Sequence, residues 1–143
     1  MKYSIIFDKD REEEVIIFAR ERGELVDKLE AILQAVPTEL IGYKGEEIVR
    51  IIPSETYCFT VEDGRTYALT ERGKYQLKLR LYQIEERISD GFVKINQSCI
   101  VNIKMIESFK TSLGGSLMVT LKGGYRDYIS RRQLKTVKER IGF

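Results

Sequence analysis

Three short polar runs carry the side chains in this sequence that can do recognition chemistry. Lys94-Ile95-Asn96-Gln97-Ser98 sets two amide side chains side by side at the end of an apolar stretch, with no turn glycine. An amide offers a donor and an acceptor at fixed separation, the pattern that a base edge presents in the major groove; the same group also fixes turns by bonding nearby backbone. Spacing alone leaves both uses open. Glu62-Asp63-Gly64-Arg65-Thr66 is a hairpin signal, and its Arg65 beside the turn glycine is either solvated or placed to meet a phosphate or a base. Ser130-Arg131-Arg132 opens a helical segment that continues through Lys135. A cation there faces the positive end of the helix dipole, so two in succession call for an anion, either a neighbouring Asp or Glu or a phosphate.

Other chemistries find little support. The 143 residues contain no histidine, which removes the commonest general base and metal ligand together. Cys58 and Cys99 are far apart in sequence and lack metal-ligand or CxxC spacing, so both read as small core residues. No pair of carboxylates stands in an apolar setting, so no catalytic site, metal, cofactor or small-molecule substrate is expected. Apolar residues make up 43% and charged residues 32%, the composition of a globular chain. No apolar run approaches the roughly 20 residues of a membrane span and none has the form of a secretory signal, so the expected compartment is the cytoplasm. Net charge is only +2, but it is unevenly spread: residues 1–40 hold six basic against ten acidic residues (−4), and residues 41–143 hold 18 against 12 (+6). Arg131, Arg132, Lys135, Lys138 and Arg140 face Glu139 alone in the last stretch, which points to a polyanion.

The elements that must hold these runs are mostly strands. Residues 1–39 read as a β-β-α extension: strands over Tyr3–Asp8 and Glu14–Ala19, then a helix with Leu25, Val26, Leu29, Ile32, Leu33 and Val36 at helical spacing, closed by Pro37. Such a unit is too small to bury much core alone and must pack on the remaining chain or on a second subunit. Residues 40–143 read as short strands cut by glycine turns, with hairpins around Gly45, Asp63-Gly64 and Gly123-Gly124. A two-turn helix is predicted from Leu81 to near Asp90-Gly91, a short helical turn over Ser98–Asn102, and a last helix over Arg131–Ile141 capped by Ser130. The fold class is mainly β, α+β overall, with short helices.

Residues 40–143 resemble the LytTR DNA-binding domain of bacterial transcription regulators. The pieces that carry the resemblance are KLRLYQIEERI (78–88), FVKINQSCIVNIKMIES (92–108), with its F-x-x-h-x-x-S-x-x-V-N arrangement, and YISRRQLKTVKERI (128–141), in the family's order and at fitting spacing. The resemblance implies an elongated β domain that binds double-stranded promoter DNA through loops at strand ends, as a dimer on paired half-sites. It assigns contacts to Arg65 in the hairpin loop, to Asn96 and Gln97, and to Arg131 or Arg132; Lys94 and Lys135, basic residues beside these, are further DNA-binding candidates. Ser98 and Asn102 match its S-x-x-V-N element as turn-fixing residues. The Asn96 position is often histidine in the family, which changes the preferred base. No phospho-receiver pattern precedes the domain; the acidic extension resembles that of stand-alone LytTR regulators and is expected to dimerise. The alternative class, a binder of RNA or single strands, would stack bases on Tyr43, Tyr57, Phe59, Tyr67, Tyr75 or Phe92, yet their alternation with polar residues turns most of them inward.

Overall fold

The structure, a computed structural model, describes residues 1–34, 40–88, 91–112 and 114–143. Val36 and Pro37, at the expected end of the first helix, and Asp90, at the expected end of the second, lie outside the described residues. The chain divides into two compact units, Met1–Pro37 and Thr38–Phe143.

In the first unit, helix α1 (Glu24–Gln34) begins with Glu24 and Asp27 in its first turn, where carboxylates suit the dipole. Arg22 bonds Asp27 and Glu30 at 2.6 and 2.7 Å. The two runs before it form no strand, against the expected β-β pair. A lone two-stranded ribbon is marginal in water, and here nothing buries its side chains: Phe7 and Phe18 are both 94% exposed, and no α1 residue is buried.

The second unit contains β1 (Leu40–Lys44), β2 (Glu47–Ile51), β3 (Thr56–Glu62), β4 (Arg65–Thr70), β5 (Gly73–Leu77), α2 (Leu81–Arg87), β6 (Phe92–Asn96), β7 (Cys99–Asn102), β8 (Ile106–Thr111), β9 (Leu117–Leu121), β10 (Arg126–Ile129) and α3 (Arg131–Ile141). A seven-stranded antiparallel sheet runs β2-β1-β5-β4-β3-β7-β6, and a three-stranded sheet runs β10-β9-β8. The β3–β4 turn places Asp63 at φ 51° and Gly64 at φ 74°, the two positive values a type I′ hairpin needs and Asp-Gly tolerates. Gly42 is required for a different reason: a Cβ there would lie 2.6 Å from Ile51 Cδ1 and 2.7 Å from Tyr75 Cβ.

Alternating side chains build two cores, one on each face of the large sheet. Leu40, Phe59, Leu77, Ile84 and Phe92 pack with α2, whereas Cys58, Val93, Ile95, Val119, Ile129 and Val137 pack with the small sheet and α3. β7 serves both, with Ile100 in the first core and Cys99 and Val101 in the second. That explains why Cys99–Asn102 is a strand and not part of the expected helical turn over Ser98–Asn102: four consecutive buried residues are what a strand covered on both faces looks like, and such a run has no period to read. Both cysteines are fully buried and free. A hydrogen bond with Cys58, reinforced by burial, pushes the Cys99 thiol's pKa up and keeps it a protonated core group. Among the described residues no helix is long and apolar enough to cross a membrane, and no acidic, Cys or His cluster could hold a metal ion.

Candidate nucleic-acid interface

Strand register brings the three polar runs to one end of the domain. Thr60 on β3 stands opposite Cys99, the first residue of β7, and Cys99 stands opposite Asn96, the last of β6. The β3–β4 turn and the β6–β7 turn therefore leave the sheet at the same end, joined by Val61 N–H donating to Ser98 C=O at 2.9 Å. The third run arrives through β10: Ser130 N–H donates to Ile95 C=O at 2.8 Å, which sets the first residue of α3 beside the end of β6. Beneath them Tyr125 on the β9–β10 connection shares a 3.2 Å hydrogen bond with Thr60 and donates to Asp127 Oδ2 at 3.0 Å. Burial pushes the Tyr125 hydroxyl's pKa up, so it stays a donor.

The expected contact residues do not share one environment. Gln97 and Arg65 are exposed at the two turns, and Arg131, Arg132 and Lys135 are exposed on α3. Among the described residues none of these five makes an ion pair or a side-chain hydrogen bond. Asn96 stands apart from these five. It is 2% exposed, its Oδ1 accepts from Ser98 N–H at 2.8 Å and its Nδ2 donates to Tyr128 C=O at 2.9 Å, so its amide fixes the turn from inside. Lys94 is also set apart: it is half-buried and shares its sheet face with Phe92, opposite the Val93 and Ile95 face that packs toward α3. Asn102 is turn-fixing, bonding Thr56 C=O and Lys104 N–H. Ser130 stands at the N-cap of α3 in extended conformation, but its hydroxyl makes no capping bond.

α3 has no acid in its first turn, so nothing on the helix itself answers Arg131 and Arg132. Lys138 joins Arg131 and Lys135 in an exposed row at i, i+4, i+7, a spacing that was open to reading in the sequence as a contact candidate. Arg140 belongs elsewhere, donating to Phe92 C=O at 2.7 Å. Tyr128, 51% exposed beside this end, is a further candidate that nothing in its local sequence marks. On the hairpin, Glu62 pairs with Lys74, whose ammonium also lies 4.5 Å from the Tyr67 ring centroid. That leaves Arg65 as the uncommitted cation at the tip.

A family model described as the LytTr DNA-binding domain matches residues 46–142, a span that includes all seven expected contact residues. The chain belongs to the LytTR DNA-binding domain family. Two Staphylococcus aureus proteins, from strains NCTC 8325 / PS 47 and MRSA252, are 36% identical to it over 120 residues, 80% of this chain and 82% of theirs; each is named an uncharacterized HTH-type transcriptional regulator. A solved LytTr DNA-binding domain from Bacillus cereus shares the fold, with a TM-score of 0.68 at 19% identity, covering 73% of this chain and 97% of that one. In this LytTR chain no two described helices are joined by a short turn, because strands separate α1 from α2 and α2 from α3. A helix-turn-helix unit is therefore not formed by the described residues. The fold class and family expected from the sequence are those found.

Proposed function

We propose that this LytTR protein regulates transcription by binding specific double-stranded promoter DNA through the end of the sheet that carries the β3–β4 turn, the β6–β7 turn and the start of α3. DNA binding and transcription regulation are the family's work; the loop contacts are our reading. The observation that carries it is the convergence at that end of Arg65, Gln97, Arg131 and Arg132, exposed and without side-chain partners among the described residues. Gln97 offers a bidentate amide to a base edge, and the arginines and Lys135 meet phosphates or guanine. A chain of this kind works in the cytoplasm, where promoter DNA is. It acts as a homodimer through residues 1–36, since a segment with no buried residue in its helix and with exposed Ile6, Phe7, Ile16 and Phe18 has no core of its own.

Single-strand stacking fits less well. Phe59, Tyr75 and Phe92 are buried, while Tyr43 lies 4.6 Å from the Lys78 ammonium and Tyr67 lies beneath Lys74. Titration of a duplex over roughly 50 to 200 mM salt tests the proposal: affinity should fall with a log-log slope of about −0.9 per phosphate neutralised, and an excess of single strand should compete poorly. A flat response refutes it.

A further inference from the structure

Asn96 is a buried polar side chain at the reading end, and both of its hydrogen-bonding ends are engaged. Its two partners belong to different contact segments. Ser98 closes the turn that carries Gln97, and Tyr128 stands three residues before Arg131. The chemistry explains the residue type: Ser98 offers an N–H and Tyr128 a carbonyl, so the side chain between them must accept at one end and donate at the other. A carboxylate cannot donate, and a hydroxyl is too short to span both.

We propose that Asn96 is a positioning residue for sequence reading, fixing the β6–β7 turn against the start of α3 so that Gln97 and Arg131 or Arg132 meet neighbouring base pairs in one register. This rests on the duplex-reading function above. Recognition groups must be held within about 0.5 Å of their working geometry to discriminate, and a planar buried amide bonded at both ends is a stiff spacer. The backbone bond from Ser130 to Ile95 ties β10 to β6, and the bond from Val61 to Ser98 ties the turn to β3; Asn96 is the side chain that ties the turn to Tyr128, on the strand that leads into α3.

The test uses the full chain and a duplex selected from a random pool by the wild-type protein. The readout is discrimination: Kd for a scrambled duplex divided by Kd for the selected one, at a single salt concentration. Asn96→Ser leaves a hydroxyl that can donate or accept but is too short to bond both partners; Asn96→Asp keeps size and acceptor and, ionised, loses the donor. The charge that Asp adds weakens both duplexes alike and cancels in the ratio. Each variant, shown by melting to be folded at the assay temperature, should lose about ten-fold or more in discrimination, spread over several base pairs. Adding Gln97→Ala to either should then cost much less than it costs the wild type. Unchanged discrimination overturns the proposal, as does a loss confined to one base pair, which would make Asn96 itself a base reader. Amide exchange in the free wild-type chain needs no variant: slow exchange at Ser98 supports the tie, and exchange at the rate of an open loop overturns it. A wild type that selects no duplex brings down the DNA reading and this inference together, an outcome distinct from variant-specific failure.

Discussion

Arg131 and Arg132 stand where a helix least favours them, at the positive end of the α3 dipole, with no acid in the first turn and no partner elsewhere in the described chain. Replacing either with Gln should leave the free protein as stable or about 0.3 to 1 kcal/mol more stable, read by thermal melting, while duplex affinity falls. The one that touches only phosphate should weaken all sequences alike and lower the salt slope by about one unit; the one that reads a base should also lose discrimination. Earlier melting with normal binding would make them internal salt-bridge partners. Asn96 and Gln97 show where the sequence stops being informative at this scale. The two are adjacent and chemically alike, yet one is buried and doubly bonded and the other is exposed, its side chain making no hydrogen bond among the described residues. The register irregularity between Lys94 and Asn96 contributes to that difference, because it alters which side chains turn inward at the strand end, and it is visible only in the pairing with β7.

At the scale of elements, hairpins were legible because their turns must carry particular residues. Asp63-Gly64 marks its turn by chemistry, and the final helix begins after Ser130 as expected, although the serine hydroxyl makes no capping bond and it is Gly142, at φ 93°, that closes the helix. β7 was not legible, since a strand covered on both faces has no alternation, nor were the missing strands before α1, whose sequence favours a sheet the chain does not complete. Gly42 supplies a test of the close packing among β1, β2 and β5. Gly42→Ala places a methyl against Ile51 and the Tyr75 Cβ, and should destabilise the domain by roughly 1 to 3 kcal/mol in denaturant unfolding. Gly45→Ala provides the contrast: there strain comes from φ 60° alone, with no atom near the added carbon, so its cost should come from the backbone and not from displaced neighbours.

At the scale of the molecule, the two units differ in what they bury. Thr38–Phe143 has two cores of its own, whereas Met1–Pro37 leaves large apolar side chains in water. Deleting residues 1–36 should give a folded monomer by sedimentation, with the full chain a dimer, and should weaken binding to a paired site more than to a half-site. An oligomeric state that survives the deletion refutes the dimerisation role. The hydrogen bonds that gather the reading end also have a consequence during synthesis. Residues 65, 97 and 131 are far apart along the chain, and the second and third are joined only when β10 docks on the end of β6 through Asn96 and Ser130. A chain still emerging from the ribosome can therefore fold its first hairpins without acquiring a finished reading surface. If that end reads DNA as proposed, a chain still lacking α3 should bind the selected duplex far more weakly than the complete domain, which a comparison with a chain ended before residue 126 checks.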